Sequence, residues 1–144
     1  MQQTQTKRLS GTLGLRIDGV DVRHLDDATF AEIQRLFLEY LVLVFPGQDL
    51  SPGDEVAFAR RWGTIWCHPH IPSLPGHPEV LEVVDPTHPI ACHWHQDQTF
   101  VDAPPLLTML YPHTLPDAGG DTLFADQYRA WDSLGPGLRE MLAG

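Results

Sequence analysis

Proline and glycine restrict this chain more than any other feature of its sequence. Its 144 residues include 13 prolines and 12 glycines. Proline lacks a backbone N–H and fixes its φ angle, while glycine is common in turns, so both residues interrupt regular structure. This composition argues against a helical bundle and predicts strands joined by many turns. The proline-rich segment HPHIPSLPGHPEV, residues 68–80, is predicted to be a loop.

Hydrophobic patterns predict the elements of the first third of the chain. LGLRID at 13–18 alternates apolar and polar residues, as a half-buried strand does. Asp26 or Asp27 can cap a helix that runs to about Tyr40, because apolar residues recur there at helical spacing. The unbroken apolar run LVLVF at 41–45 predicts a strand buried on both faces.

The remaining elements are predicted in the same way. Ser51 followed by Pro52 and Asp54 is typical of a helix start, and Gly63 would end that helix. Strands are predicted at 79–84 and 106–113, and two short C-terminal helices at 126–134 and 136–144. Strands outnumber helices, which favours a single domain, residues 1–144, of a mainly antiparallel α+β class that is mainly β.

Charge and hydropathy limit the partners. The net charge of −10 would repel a phosphate backbone, so nucleic acid is an unfavourable partner. No apolar run reaches the roughly 18 residues that a membrane helix needs, and the N-terminus lacks a hydrophobic secretion signal. We therefore expect a cytoplasmic protein with no membrane contact; a homo-oligomer is compatible with the sequence. Cys67 and Cys92 indicate no disulfide framework, and a structural zinc site with nearby histidines is an alternative role.

The segment ACHWHQDQTF, residues 91–100, carries potential metal ligands at alternate positions: His93, His95 and Asp97. In a strand these would share one face, about 6.6 Å apart. One ion could then be held by His93 and His95, a pair that suits zinc. It could equally be held by His95 and Asp97, which begin the two-histidine, one-carboxylate set of non-haem iron. As a further alternative, all three are ordinary polar residues of a half-buried strand.

Two motifs together resemble a known family. WHQDQTF at 94–100 is followed by GGDTLF at 119–124. This combination is similar to the N-terminal half of the taurine/2-oxoglutarate dioxygenase family, which includes taurine and 2,4-dichlorophenoxyacetate dioxygenases. The resemblance extends over essentially the whole chain. It implies a double-stranded β-helix, or jelly-roll, whose open mouth holds iron.

The resemblance also implies a site and a reaction. By position, His95 and Asp97 match the first two Fe(II) ligands and are the catalytic candidates, whereas His93 precedes the motif. Thr122 matches a threonine that binds a carboxylate of 2-oxoglutarate. With Fe(II) as cofactor and 2-oxoglutarate and O2 as co-substrates, the family releases succinate and carbon dioxide and hydroxylates a C–H bond.

A small organic acid is the substrate that the resemblance implies. His68 matches a histidine that contacts the sulfonate in taurine dioxygenase, and an imidazole suits an anionic oxygen. Ile71 and Ala91 stand where taurine dioxygenase has a tyrosine and an asparagine. Both changes remove polar groups, which favours a larger or less polar acid: an alkyl sulfate, a sulfonate or an aryloxyacid.

The family also needs a second iron histidine and a carboxylate-clamping arginine, both far downstream of the motif. His113, the only histidine after Asp97, is a poor match. We therefore expect these residues to be the N-terminal portion of a protein about twice as long, with an incomplete jelly-roll, weak Fe(II) binding and no turnover by themselves. Two alternatives remain: a non-catalytic truncated or regulatory member of the fold, and a zinc hydrolase or lyase that uses His93 and His95.

Overall fold

A computed structural model describes residues 4–69, 71–83 and 93–144. The chain divides into two compact units, one of Met1–Gln48 with Leu115–Gly144 and the other of Asp49–Thr114. None of the helices in the described ranges has the length and apolar character to cross a bilayer. In chain order the elements are β1 (Gln5–Arg8), β2 (Leu15–Asp18), a 3-10 turn (Val22–His24), α1 (Asp27–Tyr40), β3 (Leu43–Val44), α2 (Pro52–Arg60), β4 (Ser73–Leu74), β5 (His77–Leu81), α3 (Gln127–Ser133) and α4 (Pro136–Ala143).

The first unit contains a sheet with the strand order β1-β2-β3. β1 pairs antiparallel with β2, and β2 pairs parallel with β3, with Leu15 opposite Leu43. Leu15 and Ile17 are buried while Arg16 between them is exposed, which confirms the predicted alternation. β1 was not predicted from the sequence, because all four of its residues are exposed and no apolar pattern marks the strand.

Helix α1 confirms the helix predicted between Asp26 and Tyr40. The Asp26 carboxylate accepts a hydrogen bond from the Thr29 backbone N–H at 2.7 Å, which satisfies a donor that the first helical turn leaves open. Phe30 and Ile33 are buried on its inward face. Leu41 ends the helix in the left-handed conformation, with φ of 63°.

The prediction of a buried strand at 41–45 was wrong in length and burial. Only Leu43 and Val44 form β3, because Leu41 is taken up by the helix end. Among the described residues β3 pairs with β2 alone, so it lies at an edge of the sheet. Val44 is accordingly exposed rather than buried.

The second unit begins with α2, which confirms the predicted helix start. Ser51 and Asp54 form a reciprocal capping box, and Val56 and Phe58 are buried. A hairpin of β4 and β5 follows, so the prediction of a loop throughout 68–80 was wrong. The hairpin can form because Gly76, at φ of 82°, turns the chain between the strands.

Of the two later strand predictions, one is confirmed in part and the other was wrong. The strand predicted at 79–84 is confirmed as far as Leu81, and Val84 lies outside the described residues. The strand predicted at 106–113 was wrong, because the described residues there pair with no neighbouring backbone. Leu106 and Leu110 are each 65% exposed, so these apolar side chains are not buried in this structure. This segment is held instead by the Tyr111 hydroxyl, which accepts a hydrogen bond from the Leu50 N–H at 3.1 Å.

The C-terminal helices α3 and α4 confirm the two short helices predicted there. The described residues thus combine helices with a three-stranded and a two-stranded sheet, in agreement with an α+β class. More of the described residues lie in helices than in strands, so the prediction of a mainly β chain is not confirmed. The pairings are antiparallel except for β2 with β3. The jelly-roll stays a prediction, as does the single domain over 1–144.

Candidate metal centre

The predicted ligand motif lies in the second unit and is not a strand. Residues 93–96 have no regular structure, and Asp97 to Phe100 form a turn. Gln98 adopts the left-handed conformation, with φ of 55°, and its carbonyl accepts from the Val101 N–H at 3.3 Å. The expectation that alternate residues share one strand face was therefore wrong for residues 93–100; Ala91 and Cys92 lie outside the described residues. The turn brings ligands together by another route.

Two of the predicted ligands meet in this turn. His95 Nε2 lies 3.1 Å from Asp97 Oδ1, and both side chains are about half exposed, at 49% and 47%. Two neighbouring ligand atoms on one octahedral ion, with bonds of about 2.1 Å, lie roughly 3.0 Å apart. The two side chains thus contact each other directly at an ion-pair distance, and the same separation fits a nitrogen and an oxygen that share one metal ion.

The imidazole of His95 is oriented by a backbone group. Its Nδ1 lies 2.7 Å from the carbonyl oxygen of His93. A carbonyl can only accept, so Nδ1 must carry the proton, and in the neutral ring Nε2 keeps its lone pair. Metal-binding histidines usually have this arrangement, in which one nitrogen donates to a carbonyl while the other binds the ion. The His93 carbonyl, with help from Asp97, raises the pKa of His95 above its ordinary value.

The carboxylate of Asp97 is also held by one hydrogen bond. The Thr108 hydroxyl donates to Asp97 Oδ2 at 2.8 Å, while Asp97 Oδ1 is the oxygen nearest His95. Sequence reasoning missed Thr108, which lies outside both motifs. The one signal for it was a hydroxyl residue within the apolar run LLTMLY.

His93 contributes its backbone to this site. In the described ranges, no group of three or more His, Cys, Asp or Glu side chains is placed to hold a metal ion. The structure thus brings His95 and Asp97 together, and it does not add His93 to them as a third side chain. One imidazole and one carboxylate suit the start of a non-haem iron site, so the residues present fit that metal.

His68 lies in the same unit, at the end of the loop that follows α2. Its Nδ1 accepts a hydrogen bond from the Ile71 N–H at 3.0 Å, and its ring packs edge-on against Trp66. Because Nδ1 accepts, the neutral ring carries its proton on Nε2. A role for His68 in binding an anion stays a prediction. Ile71 is 44% exposed, and Ala91 lies outside the described residues.

Thr122 belongs to the other compact unit and is exposed. The preceding Gly119 and Gly120 have φ of 77° and 73°, the left-handed conformation that glycine adopts without strain. A Cβ at Gly120 would lie 3.2 Å from the Pro116 ring. Both glycines thus adopt a conformation that suits glycine, although residues 119–124 have no regular structure, and a role for Thr122 in binding stays a prediction.

Comparison with known proteins identifies the class. The family model described as Taurine catabolism dioxygenase TauD, TfdA family matches residues 5–144. The chain belongs to this family, which confirms the resemblance carried by the two motifs.

Individual relatives agree with this assignment. The chain is 35% identical over 135 residues to an alkylsulfatase of Acinetobacter baylyi, covering 92% of this chain and 43% of that protein. It is 33% identical over 135 residues to an alpha-ketoglutarate-dependent sulfate ester dioxygenase of Pseudomonas putida, covering 92% and 45%. Its structure matches the crystal structure of a taurine dioxygenase from Burkholderia xenovorans with a TM-score of 0.76 and 30% identity, covering 98% and 51%. The chain thus spans about half the length of these relatives.

Proposed function

We propose that the protein carrying this chain is an Fe(II)- and 2-oxoglutarate-dependent dioxygenase that hydroxylates a small organic acid and releases succinate and carbon dioxide. The observation that carries the proposal is the 3.1 Å separation of His95 Nε2 and Asp97 Oδ1. Each of these side chains is oriented by a separate hydrogen bond, as metal ligands commonly are. Family membership supplies the reaction class.

His95, Asp97 and Thr122 would have separate roles in the reaction. His95 and Asp97 would hold the metal, which when bound supplies the activation of dioxygen. Two protein ligands from this chain leave positions on the ion for further ligands and for the co-substrates. The Thr122 hydroxyl would donate to a carboxylate of 2-oxoglutarate, a hydrogen bond that the negative charge of the acceptor strengthens.

An alkyl sulfate is the substrate class we favour among sulfates, sulfonates and aryloxyacids. Two relatives at 33–35% identity are named as an alkylsulfatase and a sulfate ester dioxygenase. His68, which matches a histidine that contacts the sulfonate in taurine dioxygenase, would bind a sulfate oxygen, since an imidazole suits an anionic oxygen. Ile71 and Ala91 would favour the apolar alkyl part over the amino group of taurine.

Succinate release tests the proposal directly. The protein that carries this chain is purified and supplied in air with Fe(II), 2-oxoglutarate and one acid from a panel of an alkyl sulfate, an alkanesulfonate, an aryloxyacid and taurine. We expect succinate in the presence of the alkyl sulfate, and no succinate when His95→Ala or Asp97→Ala is used. Reactions without iron and without oxygen serve as controls.

The alternatives give different results in the same assay. Activity with Zn(II) in the absence of oxygen, lost in His93→Ala, would support the zinc hydrolase or lyase that uses His93 and His95. Fe(II) binding with no succinate from any acid would support a non-catalytic member of the family. A preference for taurine over the alkyl sulfate would refute the substrate assignment alone.

A further inference from the structure

Thr108 makes a contact that neither motif accounts for. Its hydroxyl donates to Asp97 Oδ2 at 2.8 Å across eleven residues of sequence. The two residues lie in the same compact unit, so the bond connects the ligand turn to the apolar segment that follows it. In the run LLTMLY, the hydroxyl of Thr108 is the only side-chain hydrogen-bond donor apart from that of Tyr111.

This bond makes the two oxygens of Asp97 different. Oδ2 accepts from Thr108, while Oδ1 lies 3.1 Å from His95 Nε2 and is the atom placed to share an ion with it. His95 has a matching arrangement, since its Nδ1 donates to the His93 carbonyl and its Nε2 faces Asp97. Each candidate ligand therefore has one atom held elsewhere on the chain, while its second atom meets the other candidate ligand, where a metal ion would replace their direct contact.

We infer that Thr108 is a positioning residue that holds Asp97 as a ligand through a single oxygen. This inference rests on the proposed function, because it assumes that Asp97 binds a metal. Without the hydroxyl the carboxylate, which is about half exposed, can rotate or present both oxygens. Rotation lowers metal affinity, since the ligand must then be ordered on binding. Two-oxygen binding occupies a position that a co-substrate needs.

The hydroxyl, rather than the bulk of Thr108, is what the inference requires. Thr108→Val keeps the shape and removes the donor, whereas Thr108→Ser keeps the donor and removes a methyl group. Thr114→Val makes the same change at an exposed position of the same unit and serves as the matched control. Comparing these three variants separates the hydrogen bond from packing and from the general effect of the substitution.

Mn(II) binding tests the inference without relying on turnover. The full protein and each variant are titrated with Mn(II), and free Mn(II) is counted by electron paramagnetic resonance. Changes to groups that orient metal ligands commonly weaken binding about 10–100-fold, and we expect at least about tenfold for Thr108→Val. Thr108→Ser should stay within about threefold of wild type, as should Thr114→Val. Thermal unfolding of the metal-free proteins checks that all variants are folded.

The outcomes separate this inference from the proposed function. Equal Mn(II) affinity of wild type and Thr108→Val overturns the positioning role while the metal centre stands. Equal weakening in Thr108→Val and Thr108→Ser also overturns it, since the hydroxyl would then not be the cause. If wild type itself binds no Mn(II), the metal centre and the positioning role both fall. If Thr108→Val is unfolded, full affinity in Thr108→Ser and a tenfold loss in Thr108→Ala support the role, and full affinity in Thr108→Ala refutes it.

Discussion

The two compact units are stabilised in different ways. The buried apolar side chains of the described residues are concentrated in the first unit, with two in the second. In the second unit, Trp94 and Phe100 beside the ligand turn are 71% and 76% exposed. A buried core thus holds the sheet and α1, whereas the half-exposed metal candidates are held by hydrogen bonds and by their contact with each other. The first unit's buried residues are Leu15, Ile17, Val20, Val22, Phe30 and Ile33, and the second unit's are Val56 and Phe58.

The largest expected effect is on metal binding. Replacing His95 or Asp97 with alanine should abolish stoichiometric Fe(II) binding, because each removes one of the two ligand atoms that lie 3.1 Å apart. The stability of the protein should change little, since both side chains are about half exposed. Calorimetric titration under anaerobic conditions measures the binding.

His93→Ala is the matched control for these ligand variants. It keeps the backbone carbonyl that orients His95, so Fe(II) binding should be largely retained. Loss of binding in His93→Ala together with retained binding in Asp97→Ala would favour His93 and His95 as the metal pair instead.

The second effect concerns the core of the first unit. Ile17 is 1% exposed, so Ile17→Ala leaves a cavity and should lower the free energy of unfolding by about 2–5 kcal/mol. Leu38→Ala in α1 is the control, because Leu38 is 71% exposed and should change stability by less than about 0.5 kcal/mol. Urea unfolding followed by circular dichroism measures both values. A similar cost for the two variants would contradict the importance of this core.

The third effect concerns Thr122 of the GGDTLF motif. Thr122→Val should weaken 2-oxoglutarate binding and leave Fe(II) binding unchanged, because it deletes a hydrogen bond of about 1.5–3 kcal/mol to a charged group. That energy corresponds to roughly 10–150-fold in affinity. Titration of 2-oxoglutarate into the Fe(II)-loaded protein under anaerobic conditions measures it, with Thr64→Val at an exposed position as the control. Unchanged co-substrate affinity would remove Thr122 from the site.

The contrast between the units explains what the sequence predicted. Helices α1 and α2 were predicted because their caps, Asp26 and Ser51, lie within a few residues of what they stabilise. β1 was missed because it buries nothing, and 106–113 was mispredicted because apolar residues do not reveal whether a pairing strand exists. A strand forms through partners distant in sequence, which local patterns do not contain.

The candidate site likewise combines residues that are close in sequence with one that is not. His95 and Asp97 were predicted from a motif of neighbouring residues, and the structure brings them together although the strand expected to do so is absent from residues 93–100. Thr108 was missed because its bond to Asp97 spans eleven residues and follows no periodic pattern. The sequence motif predicts these two candidate ligands, whereas only the coordinates show which groups orient them.

The smallest expected effect is a pH dependence in the first unit. Asp21 caps the 3-10 turn by accepting from the Arg23 N–H, and its carboxylate also pairs with the Arg23 guanidinium at 2.8 Å. These contacts with Arg23 lower the pKa of Asp21 from 3.8 to about 2. Because the folded pKa is the lower one, the carboxylate stabilises the folded state above about pH 4, and this contribution is lost as the pH falls towards 2.

Asp21→Asn keeps an oxygen acceptor for the cap but removes the charge. The variant should therefore have a slightly lower thermal midpoint than wild type at neutral pH, and the difference should vanish as the pH falls from 4 to 2. Thermal unfolding at several pH values measures this difference, with Asp49→Asn as an exposed control. A difference that stays constant down to pH 2 would show that the charge of Asp21 does not stabilise the turn.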